Sequence, residues 1–314
     1  MYKNKILILE GGFNEEHEVS LATAREIKKS LYTQNIEFES LLVSPKNFED
    51  KIINFSNEYI CINALHGPYG EDGQIQKILE NLSYKFSHSS SEASRLGFNK
   101  ELSKECLKST KVLMLDHEVV ESRLINKEKL IEVFLKLGAF VLKPVASGSS
   151  FGVKIFKTLD DIDYFSNDLI KNMSIYKKHK TLLFEKYIQG RELTVAVVEK
   201  NKKSVSVEVT EIISNMEFFN YKAKYSPNIA THILPAKIPI EAYETCKTYA
   251  KIAHDTINCR GLSRSDFIYY NDKIYFIEIN TQPGLTPLSL VPEQLKFKKT
   301  SFDQMIKNLI DCSL

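Results

Sequence analysis

The opening ninety residues alternate short apolar blocks with apolar positions at helical spacing. "KILILEGG" (5–12) is a compact apolar run that ends on two glycines, the pattern of a strand buried on both faces. In "EVSLATAREIKKSLYT" (18–33), Leu21, Ala24, Ile27 and Leu31 fall on one stripe, which predicts an amphipathic helix. "EFESLLV" (37–43) and "YICINAL" (59–65) read as further strands, and "GQIQKILENL" (73–82) as another helix. This alternation implies a parallel, doubly wound sheet with helices on its faces. Functional groups in such sheets gather in loops beyond the carboxyl ends of the strands. "GGFNEEHE" (11–18) and "HGPYGEDG" (66–73) lie at those ends. The first lacks a complete G-x-G-x-x-G and is not read as a dinucleotide site.

Past Ser89 the texture changes to mixed α+β. A basic helix, "NKELSKECLKS" (99–109), precedes a linker-like stretch. Strands "AFVLKP" (139–144) and "GVKIFK" (152–157) bracket "VASGSSF", and "TLLFEKYIQG" and "ELTVAVVEK" continue the pattern to 200. The polar, aromatic stretch 214–228 reads as an exposed loop, followed by a helix over 240–257, a hairpin and a short C-terminal helix. At 314 residues the chain exceeds one ordinary core, and the expected division is 1–92, 93–182 and 183–314.

Composition narrows the classes. The chain is 43% hydrophobic and 26% charged with a net charge of +2, which gives no general reason to expect nucleic-acid or membrane partners. Neither a signal-peptide core nor a run able to span a bilayer is present. Cys61, Cys106, Cys246, Cys259 and Cys312 are scattered and odd in number, as expected of reduced thiols in a cytoplasmic protein.

The hairpin "RSDFIYYNDKIYFIEINTQPG" (264–284) carries the chemistry. Residues two apart on a strand share a face, so Arg264 pairs in direction with Asp266, and Glu278 with Asn280. The two sets meet only if Asp266 lies opposite Glu278. A plain two-residue turn at Asn271-Asp272 puts them on opposite faces, so the hairpin needs a longer loop or a bulge. In the right register two carboxylates and an amide oxygen converge, with Arg264 as the competing cation. A hard divalent cation removes the conflict between the acids. The plain alternative is an exposed hairpin with solvated acids.

Two further stretches bear on ligands. "KPVASGSSFGV" (143–153) reads as a glycine-serine flap between strands, able to offer N–H groups to an anion, with Lys143 at its base; an ordinary turn is the alternative. "EKYIQGRELTV" (185–195) reads as a hinge whose backbone suits an adenine edge and whose carboxylates suit a ribose, or simply as an amphipathic strand and turn. His66 is followed by Gly67 and Gly70, which let backbone approach a ligand. Lys100, Lys224 and Tyr225 are individually unremarkable.

In chain order these pieces resemble the ATP-grasp family, and within it the D-alanine–D-alanine ligases. The resemblance spans the chain through "GGFNEEHEVSL" (11–21), "LHGPYGEDG" (65–73), "KPVASGSSFGV" (143–153), "EKYIQGRELTV" (185–195), "YKAKY" (221–225), "RSDF" (264–267) and "EINTQPGLTPLSLVP" (278–292). It implies three domains with nucleotide between the second and third. It implies that Lys100 and Lys143 contact phosphates, that Glu185, Tyr187, Ile188 and Glu192 hold the adenosine side, and that Lys224 reaches the γ-phosphate. Asp266, Glu278 and Asn280 would bind two Mg²⁺, or Mn²⁺. Glu16, tied to Ser149 and Tyr225, would hold the ammonium of the first D-alanine, with His66 nearby. Ser289 and Leu290 would take the carboxylate of the second, and Arg264 would stabilise a tetrahedral oxyanion. A homodimer is expected by the same likeness.

The implied chemistry is ATP-dependent, ADP-forming ligation of two D-alanines through an acyl phosphate, for peptidoglycan precursors. The chain departs from the family pattern at Val145-Ala146-Ser147, where an Arg-Glu pair is common, and at Lys222, where an acid is common. The alternatives are ligation of D-lactate or D-serine as second substrate, which Tyr225 disfavours against the lactate enzymes, and a catalytically inactive nucleotide-binding regulator.

Overall fold

The computed structural model describes residues 5–148, 151–214 and 230–313. Its first sheet is wholly parallel: β1 (Ile6–Gly11), β2 (Phe38–Val43), β3 (Ile60–Asn63) and β4 (Lys85–Phe86), in the order β2-β1-β3-β4. Helix α1 (His17–Thr33) covers one face, while α2 (Phe48–Ile52) and α3 (Gln74–Asn81) cover the other. The two-residue period of β1 explains the split. Ile6 and Ile8 join the core with Ala24, Ile27 and Leu31 of α1, whereas Leu7 and Leu9 join Phe48, Ile52, Ile75 and Leu79. The strand order reverses between β1 and β3, so the crevice at their carboxyl ends is where a ligand belongs.

Helices α4 (Ser91–Phe98) and α5 (Lys100–Leu107) follow, each capped by a side chain: Ser90 accepts from the Ala93 N–H, and Asn99 from the Leu102 N–H. The second sheet is antiparallel, in the order β5-β8-β6-β7. Its strands are β5 (His117–Glu121), β6 (Phe140–Pro144), β7 (Lys154–Phe156) and β8 (Thr181–Lys186), with α6 (Lys127–Leu137), α7 (Leu159–Ser166) and α8 (Leu169–Met173) between them in the chain. The glycine-serine stretch connects the antiparallel pair β6 and β7, as a flap requires.

The third sheet is antiparallel in the order β11-β10-β9-β12-β13. It comprises β9 (Arg191–Lys200), β10 (Lys203–Ser214), β11 (Ala230–Ile233), β12 (Leu262–Tyr270) and β13 (Lys273–Asn280). Helix α9 (Ile240–Ile257) packs beneath it through Cys246, Ala250, Ala253 and Ile257. Ala93 and Leu107 of α4 and α5, with Val112, are buried in that same core. The C-terminal helices α10 (Leu290–Phe297) and α11 (Phe302–Ser313) turn back onto the first sheet, placing Val291, Leu295, Ile306 and Ile310 with Ile6, Ile8 and Ile62. No helix is long and apolar enough to cross a membrane among the described residues. All five cysteines are free thiols.

Candidate active site

The hairpin β12–β13 resolves the parity question with a bulge and no longer loop. Its turn is the two-residue Asn271-Asp272, both at positive φ (46° and 58°), the conformation that Asn and Asp tolerate in tight hairpins. Near the turn Phe267 opposes Phe276, but further along Asp266 opposes Glu278 and Arg264 opposes Asn280. Ile277 is the extra residue, and this bulge turns Glu278 and Asn280 to the face of Asp266 and Arg264.

Cations already sit against both acids. Arg264 donates to Asp266 from Nε and Nη2 at 2.9 and 2.8 Å, and Thr194 Oγ1 donates to Asp266 at 2.6 Å. Lys100 Nζ lies 3.1 Å from Glu278 Oε2 and donates to the Ser147 carbonyl at 2.9 Å. Arg264 is therefore not the one competing cation that the sequence suggests, because α5 delivers Lys100 as well. Lys100 is 7% exposed, which removes the reading of a merely basic surface helix. The Asn280 amide oxygen accepts from the Gln282 N–H at 2.8 Å. Two carboxylates and an amide are hard oxygen donors, the chemistry that suits Mg²⁺ or Mn²⁺. No cluster of three His, Cys, Asp or Glu groups forms among the described residues, so Asn280 is needed in any such set.

A cleft of about 500 Å³ lies between the second and third sheets. Lys143, Glu185, Tyr187, Ile188, Glu192 and Asp266 line it. Gly190 lets the hinge approach β12 so closely that a Cβ there would lie 2.4 Å from Ile268 Cγ2. Glu185 does not point a free carboxylate at the cleft. Its Oε2 is 2.7 Å from Lys143 Nζ and its Oε1 is 2.5 Å from Lys104 Nζ. Burial opposes the charge on Glu185, but the two lysines outweigh it and hold the carboxyl down at about 2. Burial and then the neighbouring Lys143 lower Lys104, against the pull of Glu185.

A smaller pocket adjoins the first, lined by Glu16, His66, Glu71, Gly148, Arg264, Glu278, Asn280 and Gly284 among others. The two cavities share Lys100, Ser147 and Glu278. Glu16, after β1, and His66, after β3, meet because Asn14 Nδ2 donates to the carbonyls of His66 (2.8 Å) and Pro68 (3.1 Å). His66 is 4% exposed and held at both nitrogens, Nε2 at 2.9 Å from Thr23 Oγ1 and Nδ1 at 3.1 Å from Glu71 Oε1. Gln282 ties this loop to the hairpin, accepting from Asn63 Nδ2 at 2.8 Å and donating to the Leu65 carbonyl at 2.6 Å.

Ser289 stands at the start of α10 with its hydroxyl 2.9 Å from Thr286 Oγ1, beside Gly284. Leu290 is buried and lines neither cavity. Ser149, Lys224 and Tyr225 lie outside the described residues, as do Lys222 and most of the loop 214–228. Sequence reasoning missed Lys104, Glu71, Thr23 and Gln282. Lys104 had a signal, standing one helical turn from Lys100; Glu71 lies within "LHGPYGEDG" (65–73); Thr23 and Gln282 had none.

A family model described as D-ala D-ala ligase C-terminus matches residues 102–311. A D-alanine–D-alanine ligase of Zymomonas mobilis is 38% identical over 299 residues, covering 94% of this chain and 89% of that protein. One from Pelagibacter ubique is 37% identical, covering 96% of each chain. The crystal structure of a D-alanine–D-alanine ligase from Bacillus anthracis complexed with ATP superposes with a TM-score of 0.80 at 25% identity, covering 100% of this chain and 97% of that one.

Proposed function

The chain belongs to the D-alanine–D-alanine ligase family of ATP-grasp proteins, and we propose that its two adjoining cavities hold ATP and D-alanine for one ligation. It is an ATP-dependent enzyme that forms D-alanyl-D-alanine for peptidoglycan precursors. The observation that supports the mechanism is the shared wall of Lys100, Ser147 and Glu278; in this reading a nucleotide's terminal phosphate meets an amino-acid carboxylate there.

In this reading Tyr187 and Ile188 present backbone to adenine, Glu192 meets the ribose, and Glu185 holds Lys143 in place. Lys100 and Lys143 face the phosphates, joined by Lys224 from the loop. Glu16 takes the ammonium of the first D-alanine with His66 beside it, supported by Ser149 and Tyr225. Ser289 and Leu290 receive the second at the start of α10. Asp266, Glu278 and Asn280 hold Mg²⁺, which when bound offsets the charge of the phosphates.

A carboxylate is a poor electrophile, so an oxygen of the first D-alanine attacks the γ-phosphorus and ADP leaves, giving an acyl phosphate. The amine of the second D-alanine then attacks the acyl carbon. The tetrahedral intermediate expels phosphate as the nitrogen gives up a proton. Arg264 lines the smaller pocket, and in this reading its guanidinium hydrogen-bonds the oxyanion. Its pairing with Asp266 keeps the guanidinium in the required direction before substrate arrives.

The division at residues 92 and 182, a cytoplasmic location and a homodimer complete the proposal, the last two on family likeness. Mass spectrometry of the product from purified protein, ATP, Mg²⁺ and D-alanine with competing D-serine or D-lactate tests it. D-alanyl-D-alanine is expected as the main product; a predominant ester or mixed dipeptide would move the assignment to a sister activity. Absence of any product would favour the inactive regulator.

A further inference from the structure

Lys104 is 1% exposed, a burial lysine rarely undergoes because its ammonium loses its hydration. It lines neither cavity, yet its Nζ lies 2.5 Å from Glu185 Oε1 and 5.8 Å from the centre of the Phe276 ring. The second oxygen of the same carboxylate is 2.7 Å from Lys143 Nζ, and Lys143 and Glu185 both line the larger cleft. One carboxylate is thus divided between two ammonium groups, and the trio carries a net charge of one positive unit. Without Lys104, Glu185 and Lys143 would form a neutral one-to-one pair at the floor of the cleft.

We propose that Lys104 is a positioning residue for nucleotide binding: by taking one oxygen of Glu185 it leaves Lys143 held in place but not neutralised. This rests on the reading of Lys143 as a phosphate contact. Lys104 acts from behind the cleft wall, and α5 carries it one turn beyond Lys100, so one helix supplies a direct and an indirect cation. A lysine that only filled space would be replaceable by an apolar side chain of similar length. A lysine that sets charge is replaceable only if the charge balance is restored.

The test is direct equilibrium binding of ATP and of adenosine, with thermal melting as the folding control, to wild type, Lys104→Met and Lys104→Arg. The first variant cancels the positive unit and the second keeps it. Lys104→Met is expected to weaken ATP binding by at least about tenfold while adenosine binding stays within about twofold, and Lys104→Arg to recover most of the ATP loss. Unchanged ATP binding in Lys104→Met, or an equal loss for adenosine, overturns the inference. If Lys104→Met fails to fold, Lys104→Gln takes its place and is judged by the same two ligands: a loss confined to ATP supports the charge role, and unchanged ATP binding or an equal loss overturns it. A wild type that binds no ATP would overturn the nucleotide reading itself, a result distinct from failure of the variants.

Discussion

Gly67 has no room for a side chain. Its φ is +70°, and a Cβ built there would lie 2.4 Å from Glu16 Oε2 and 3.0 Å from Asn14 Nδ2. An alanine would meet both a left-handed backbone penalty of about 1–2 kcal/mol and a clash with the Glu16 carboxylate that lines the smaller pocket. Gly67→Ala is expected to lower kcat/KM for D-alanine by on the order of 10²-fold while ATP binding stays near wild type, measured by steady-state kinetics and nucleotide titration. His88 is one residue-scale source of acid sensitivity. Burial first, then the nearby charges of His66 and Arg260, lower it from 6.5 to about 3. Between those values the unfolded chain binds the proton and the folded one does not, so stability falls as pH drops from 6.5 towards 3. His88 also sits at φ 67°, which asparagine accepts. Denaturant unfolding of His88→Asn is expected to show a shallower loss of stability across that window than wild type.

At the scale of elements, the hairpin shows how far a sequence can be read. That Asp266 must oppose Glu278 follows from alternation and from the oxygen-rich ends of two apolar runs. Which residue is the extra one does not, because Ile277 continues an apolar run and carries no local mark of a bulge. Inserting one alanine after Ile277 should slip the end of β13 by one residue and turn Glu278 and Asn280 away from Asp266. Turnover is expected to fall by on the order of 10²-fold or more with secondary structure retained by circular dichroism. The helix over 99–109 was legible as a helix, but its basic residues suggested solvent. Only the packing of α5 under the third sheet shows that Lys100 and Lys104 are its buried face.

Across the whole molecule the parallel first sheet and its two loops were readable from strand–helix alternation, since each strand needs its helix to cover it. The ties between sheets were not, because they depend on residues far apart in the chain with no periodic signature. Gln282 joins the third sheet to the His66 loop, Arg260 donates to the carbonyls of Phe86 and His88, and α11 reaches α1 through Ser30 and Asp303. These contacts set two loops of one sheet against the bulged end of another, and the smaller pocket exists only where they meet. In the proposed reaction that junction is where phosphate passes from nucleotide to carboxylate. The most direct measurement is phosphate release by the full chain with ATP, Mg²⁺ and D-alanine, each omitted in turn, alongside Glu278→Gln. Release that needs all three and drops by on the order of 10³-fold in the variant is the predicted result. Release that proceeds without D-alanine, or a near-normal rate in Glu278→Gln, would contradict it.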